Sequence, residues 1–175
     1  MAKRVDSYWE LVKPIFSEVN TEDPGSYFES IASLPRPIVL LYATHLCLSE
    51  VFNGGFLQFF WNSTGLMAPE AIEGFTVVGM PRLAAVVSQA TALLGSPYPR
   101  DRDDRWDALL VASGKNEAEL EAIFEKAENF YLAFQEATTA LSLSDLDTQA
   151  WQLARTENGD FQDAATRYAR NFANV

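Results

Sequence analysis

One cysteine, Cys47, and one histidine, His45, occur in 175 residues. A single thiol excludes an intrachain disulfide and suits a reducing compartment. With one residue of each kind and no H-E-x-x-H motif, the familiar zinc spacings cannot be assembled. No metal and no cofactor is expected. His45 and Cys47 stand two apart, so on a helix they face different ways, which disfavours a Cys–His nucleophile pair. In its apolar surroundings His45 reads as a packed core residue. Bases are scarce as well: 13 Lys and Arg stand against 24 Asp and Glu, a net charge of −11. No basic patch is present for direct nucleic-acid binding. The same field repels anionic lipid and attracts basic partners, although solubility is a plainer use of it. The longest apolar run, Ile38 to Leu48, is about half of a bilayer span. The first residues, Met1-Ala2-Lys3-Arg4-Val5-Asp6-Ser7, lack the apolar stretch of a secretion signal. A cytoplasmic protein without a membrane segment is the expectation. Alternating β-branched runs between hairpin turns are missing, and the one strand-like triplet, Thr76-Val77-Val78, is hemmed in by Gly and Pro.

What is present is core material and helix punctuation. Hydrophobic residues make up 48% and aromatics 13%, enough to bury one sizeable core. Apolar spacing and Pro and Gly positions predict an all-α, compact single-domain multi-helix bundle over residues 1–175. The first helix is expected over 7–19 with a kink or break at Pro14. A turn at Asp23-Pro24-Gly25 precedes a short helix over 26–34. A strongly apolar, central helix opens at Pro35-Arg36-Pro37 and runs to 52. Asn53-Gly54-Gly55 ends it, and a second short helix follows from Phe56 to Ser63. Further helices are expected over 69–78, 81–94, 100–112, 116–141, 144–155 and 159–172.

The most distinctive segment is Asn53-Gly54-Gly55-Phe56-Leu57-Gln58-Phe59-Phe60-Trp61-Asn62-Ser63. Two adjacent glycines permit a sharp turn, and four aromatics then cover nearly every face of a short helix. Gln58 and Asn62 share one face and are placed to hydrogen-bond to backbone or to each other. A phosphate cradle is a weak reading, since no GxGxxG or GxxxxGK pattern and no nearby Lys accompany the turn. A ligand pocket built from Trp61, Gln58 and Asn62 is a second reading, with Glu50 and Glu73 as the nearest carboxylates for an enzyme. A buried aromatic helix, held at a fixed angle by its turn, is the simpler one, and no catalytic residue is assigned. Over residues 50–65 the sequence resembles the signature of a bacterial family typified by DNA mimic protein nineteen, N-G-G-F-x-Q-F-x-x-N followed by a small residue. Asn53, Gly54, Gly55, Phe56, Gln58, Phe59 and Asn62 carry the match. The resemblance implies an all-helical, acidic, homodimeric protein, and with no catalytic residue assigned an enzyme is not expected. It also implies carboxylates that stand in for DNA phosphates and occupy the surface of a DNA-binding transcription factor.

The acids themselves are unevenly placed. Residues 101–175 hold 15 acids and 7 bases, −8 of the −11. Asp101, Asp103, Asp104 and Asp107 crowd the start of one expected helix. Glu117, Glu121, Glu125 and Glu128 follow at helical spacing, with Leu120, Phe124, Ala127, Tyr131 and Phe134 as the apolar seam of the same helix. A DNA strand advances ~3.4 Å per phosphate along its axis, so such a carboxylate stripe has a density comparable with one strand. These eight residues are the expected protein-binding surface. The partner class is a basic DNA-binding protein, with an immunity-type inhibitor of a basic toxin as the alternative. Asp101-Arg102-Asp103-Asp104 lacks the ligand and Gly order of a calcium loop.

Overall fold

Capping residues and prolines set the helix boundaries. The computed structural model describes residues 5–141 and 143–173, side chains up to Asn171. It contains ten α-helices, two 3-10 turns and no strand among the described residues. Helix α1 (Trp9–Val12) passes at once into a 3-10 turn, Lys13–Ser17. Pro14 lies in that turn; it lacks the N–H that an α-helical continuation would require. Helix α2 (Pro24–Ile31) begins earlier than expected, because Pro24 and Gly25 belong to its first turn and do not form a separate bend. The Asp23 side chain accepts from Ser26 N at 3.0 Å and serves as its N-cap.

Helix α3 (Arg36–Trp61) is the central element. Leu41, Ala43 and Thr44 in its first half are fully buried, as are Phe56, Phe59 and Phe60 beyond the glycines. The helix is interrupted where the glycine pair predicts. Gly54 has φ −153° and ψ 22°, and Gly55 has φ 75° and ψ −176°, after which the helix resumes in a new direction. A 3-10 turn, Ser63–Met67, leads into α4 (Ala68–Val77), and Pro81 opens α5 (Pro81–Ala92). Helix α4 lies close against α3 at Gly74, where an added Cβ would stand 2.5 Å from Thr44 Cγ2 and 2.8 Å from the Leu40 carbonyl oxygen. Helix α6 (Arg102–Ala112) follows.

The expected single helix over 116–141 is two helices, α7 (Glu117–Lys126) and α8 (Phe130–Thr138). Ala127 is extended, with φ −75° and ψ 144°. The Asn129 side chain accepts from Leu132 N at 3.0 Å and caps α8. An Asx side chain in that position offers the backbone an alternative to continuing a helix. Leu120, Phe124, Ala127, Tyr131 and Phe134 are therefore not one helical seam. Phe134 is buried in the middle of a different helix, α8, whereas α7 buries no residue fully. Helices α9 (Leu143–Thr156) and α10 (Phe161–Ala173) complete the chain. Helix α3 packs against α4 and α9, α5 packs against both of those, and α6, α8 and α7 succeed one another outward from α3. One contiguous apolar core runs from Val5 to Ala169. No helix among the described residues is long and apolar enough to cross a membrane.

Candidate functional site

The signature segment is held at both ends by side chains from distant elements. Past the kink, the new helical start at Phe56 leaves an N–H without a helical partner. Asp147, on α9, accepts that hydrogen at 2.7 Å. A Cβ on Gly55 would lie 2.5 Å from Asp147 Oδ2, so the carboxylate occupies the space that a side chain would take. Burial raises the pKa of Asp147, and the hydrogen bond from Phe56 opposes that shift. At the other end Arg105, 1% exposed, donates through Nε to the Phe60 carbonyl at 3.0 Å and through Nη2 to the Asn62 carbonyl at 2.8 Å. Its Nη1 donates to the Arg100 carbonyl. A carboxylate at the N-terminal end and a guanidinium at the C-terminal end both follow the sign of the helix dipole. Desolvation lowers the Arg105 pKa, and the carbonyls supply the partners that make such burial tolerable.

The amides of the signature do not pair with backbone or with each other. Gln58 Nε2 and Asn62 Nδ2 both donate to Glu50 Oε2, at 2.7 and 2.8 Å, and Thr64 Oγ1 donates to Glu50 Oε1 at 3.0 Å. Glu50 therefore staples the first half of α3 to the second across the kink. Gly54 gives the Gln58 side chain its room, since a Cβ there would stand 2.1 Å from Gln58 Oε1. Glu50, Asn53, Gln58 and Asn62 do line an open cleft, but Trp61 is not part of it. Trp61 is stacked on Trp106 with centroids 4.3 Å apart and planes 20° apart, and its carbonyl accepts from Trp106 Nε1 at 3.1 Å. The pocket expected from Trp61, Gln58 and Asn62 together does not form, because the two faces of the short helix are turned to different neighbours. Glu73 pairs with Arg36 on the surface and is not beside Glu50.

Beneath the signature a buried carboxylate, Glu70, is held by Arg100 through two bonds of 2.7 and 3.0 Å. Cys47 is fully buried, and burial pushes its thiol well above the ordinary value. His45 is half-buried and its Nδ1 lies 2.9 Å from the Tyr8 hydroxyl, not near a thiol partner. Desolvation lowers its pKa. It lines an open cavity and is not sealed in the core.

Both groups of predicted acids are on the surface. Asp101, Asp103, Asp104, Asp107, Glu117, Glu121, Glu125 and Glu128 are all exposed. Asp101 is the N-cap of α6, accepting from Asp103 N at 2.9 Å. Asp103 and Asp104 lie in its first turn, where the helix dipole favours them. Glu117, Glu121 and Glu125 run along α7, while Glu128 falls in the break before α8 and is not the fourth member of a helical stripe. The ion pairs among the described residues join Arg36 and Arg100 to Glu70 and Glu73 and involve none of the eight. Phe130, itself half-exposed, bridges the two acidic helices, with ring centroids 5.6 Å from Trp106 on α6 and 5.1 Å from Phe124 on α7.

Sequence reasoning missed Glu50, Asp147 and Arg105 as the supports of the signature. Glu50 had a usable signal, lying eight and twelve residues before two amides. Asp147 and Arg105 had none, since their partners are backbone groups far away in the chain.

No curated protein and no solved structure matches the chain. A family model described as DMP19-like protein matches residues 32–171. That span takes in the kinked helix, its Asp147 and Arg105 supports and both acidic helices, and the chain accordingly belongs to the DMP19-like protein family.

Proposed function

We propose that the protein is a non-enzymatic DNA mimic of the cytoplasm, active as a homodimer. Its α6 and α7 carboxylates would occupy the DNA-reading surface of a basic transcription factor or another nucleic-acid-binding protein. The observation that carries this reading is the state of the eight acids: all are exposed, and none is in an ion pair among the described residues. A carboxylate already paired with Arg or Lys has little charge left to offer, whereas none of these is within ion-pair distance of a base among the described residues. Family membership supports the same class of role. In this reading the signature is not the binding surface. It is the support that fixes α6, since Arg105 and Trp106 of that helix are bonded to the carbonyls at the signature's end.

Attraction of this kind acts over about a Debye length and is screened by salt. Capture of a basic DNA-binding protein from lysate is expected at ~0.05 M salt and lost by ~0.5 M. Reversing Glu117, Glu121 and Glu125 to Lys should abolish capture while the circular dichroism spectrum stays that of a helical protein. Undiminished capture by that variant would sink the proposal. Capture of a basic toxin and of no DNA-binding protein would point instead to an immunity-type inhibitor with the same surface.

A further inference from the structure

A cavity of about 420 Å³ lies where α1, α3, α9 and α10 converge, away from the acidic helices. One wall is a single face of α3, on which His45, Leu48, Ser49 and Phe52 stand at successive helical turns. Ala154 and Arg155 close it from the end of α9, and Phe161 and Gln162 from the start of α10. The volume is that of a small-molecule site, and the lining has the usual makeup of one: an apolar body and a few convergent polar groups.

Two of those polar groups are held in position yet keep bonding capacity. His45 is fixed through Nδ1 by the Tyr8 hydroxyl, which Phe161 in turn packs against edge-on at 5.3 Å. Its Nε2 has no hydrogen-bond partner among the described residues. The Arg155 guanidinium lies over Trp151 at 3.1 Å and over Phe52 at 5.2 Å, a stacked arrangement that limits its freedom. Its hydrogen bond is a long one, 3.4 Å to the Trp151 carbonyl, and no carboxylate pairs with it among the described residues. Asp160 also borders the cavity, its Oδ1 capping α10 by accepting from Asp163 N at 2.8 Å, and its charge keeps an anionic ligand to the Arg155 and His45 side.

We infer that this cavity binds a small aromatic carboxylate, with its ring against Leu48, Phe52 and Phe161 and its anionic end on Arg155 and His45. A phosphorylated or highly charged ligand is disfavoured, since the field of a −11 protein opposes each added negative charge. The bound species is a singly charged anion with a large apolar body.

The lone histidine provides the reporter, because its ring protons give one set of NMR signals in the whole protein. Indole-3-acetate, titrated into the full chain, should shift those signals saturably in the millimolar range or below. Tryptamine has the same ring and the opposite charge, and it should leave them in place. Arg155→Gln, an exposed substitution, should weaken indole-3-acetate binding about ten-fold, the loss expected for a charge-assisted hydrogen bond. Arg155→Lys should recover part of it. A shift with tryptamine alone would overturn the assigned charge, and silence with both probes would overturn the site. Equal affinity of the parent and Arg155→Gln would overturn the role of the guanidinium. Partner capture by the acidic helices is independent of all these outcomes.

Discussion

At the scale of single residues, the protein depends on carboxylates that hold backbone and amide donors, a use quite different from the one proposed for its surface acids. Glu50 satisfies Gln58, Asn62 and Thr64 together, so its removal orphans three donors at once. Glu50→Ala is expected to cost about 1–3 kcal/mol in urea denaturation, and Glu50→Gln less, because it keeps an acceptor. Equal stability of the Ala variant and the parent would show that water replaces the carboxylate without loss. Asp147 ties stability to pH. Its folded pKa lies above the unfolded value, mainly through burial, so the folded chain holds that proton more tightly. Stability is therefore lost as pH rises from the unfolded pKa, about 3.9, through the folded one. Asp147→Asn retains an acceptor for Phe56 N and carries no charge. At pH 7 its melting temperature should equal or exceed that of the parent, with the difference shrinking toward pH 4. A clearly lower melting temperature at pH 7 would mean that the charge, and not the acceptor alone, supports the kinked helix.

Among the elements, α7 is the outlier. It buries no residue fully and carries Glu117, Glu119, Glu121 and Glu125 against a single Lys126. Its own local bonds are good, since Asn116 and Glu119 form a reciprocal capping box at 2.8 and 3.0 Å. Like charges four apart weaken a helix by only a few tenths of a kcal/mol, but α7 has little packing to offset even that. Opening free energies follow buried contact, so α7 belongs at the low end and α3, α4 and α5 at the high end. Hydrogen exchange should show amides 117–126 exchanging without global unfolding, while those of 39–48 exchange only through it. Equal protection in both would contradict this ranking. If α7 meets a partner through its charge, as proposed, its low intrinsic stability leaves room for ordering on contact. The aromatic packing of Trp61, Trp106 and Phe130 ties the same region back to the core.

The whole molecule is governed by two charge populations of very different cost. Glu70 and Arg105 are buried and matched, one by arginine and the other by carbonyls. The remainder sum to a negative field that repels itself and relaxes on unfolding. Added salt screens that repulsion, so raising NaCl from about 0.01 to about 0.3 M should increase the melting temperature by about 2–4 °C. A melting temperature that falls with salt would mean that specific ion pairs outweigh the net repulsion. The same screening would weaken the proposed partner capture, so stability and that capture are expected to respond to salt with opposite signs. By itself the sequence determined the helical class, the break at Pro14, the kink at Gly54-Gly55 and the exposure of all eight acids, because periodicity, backbone freedom and charge solvation are local properties. The Asn129 cap that divides 116–141 and the clamp on Glu50 are short-range and left a signal in the sequence, whereas the caps supplied by Asp147 and Arg105 and the separation of Trp61 from Gln58 were decided only by tertiary structure. Each of those depends on which unsatisfied donor or carbonyl a distant element brings within hydrogen-bond reach, and spacing along the chain carries no record of that distance.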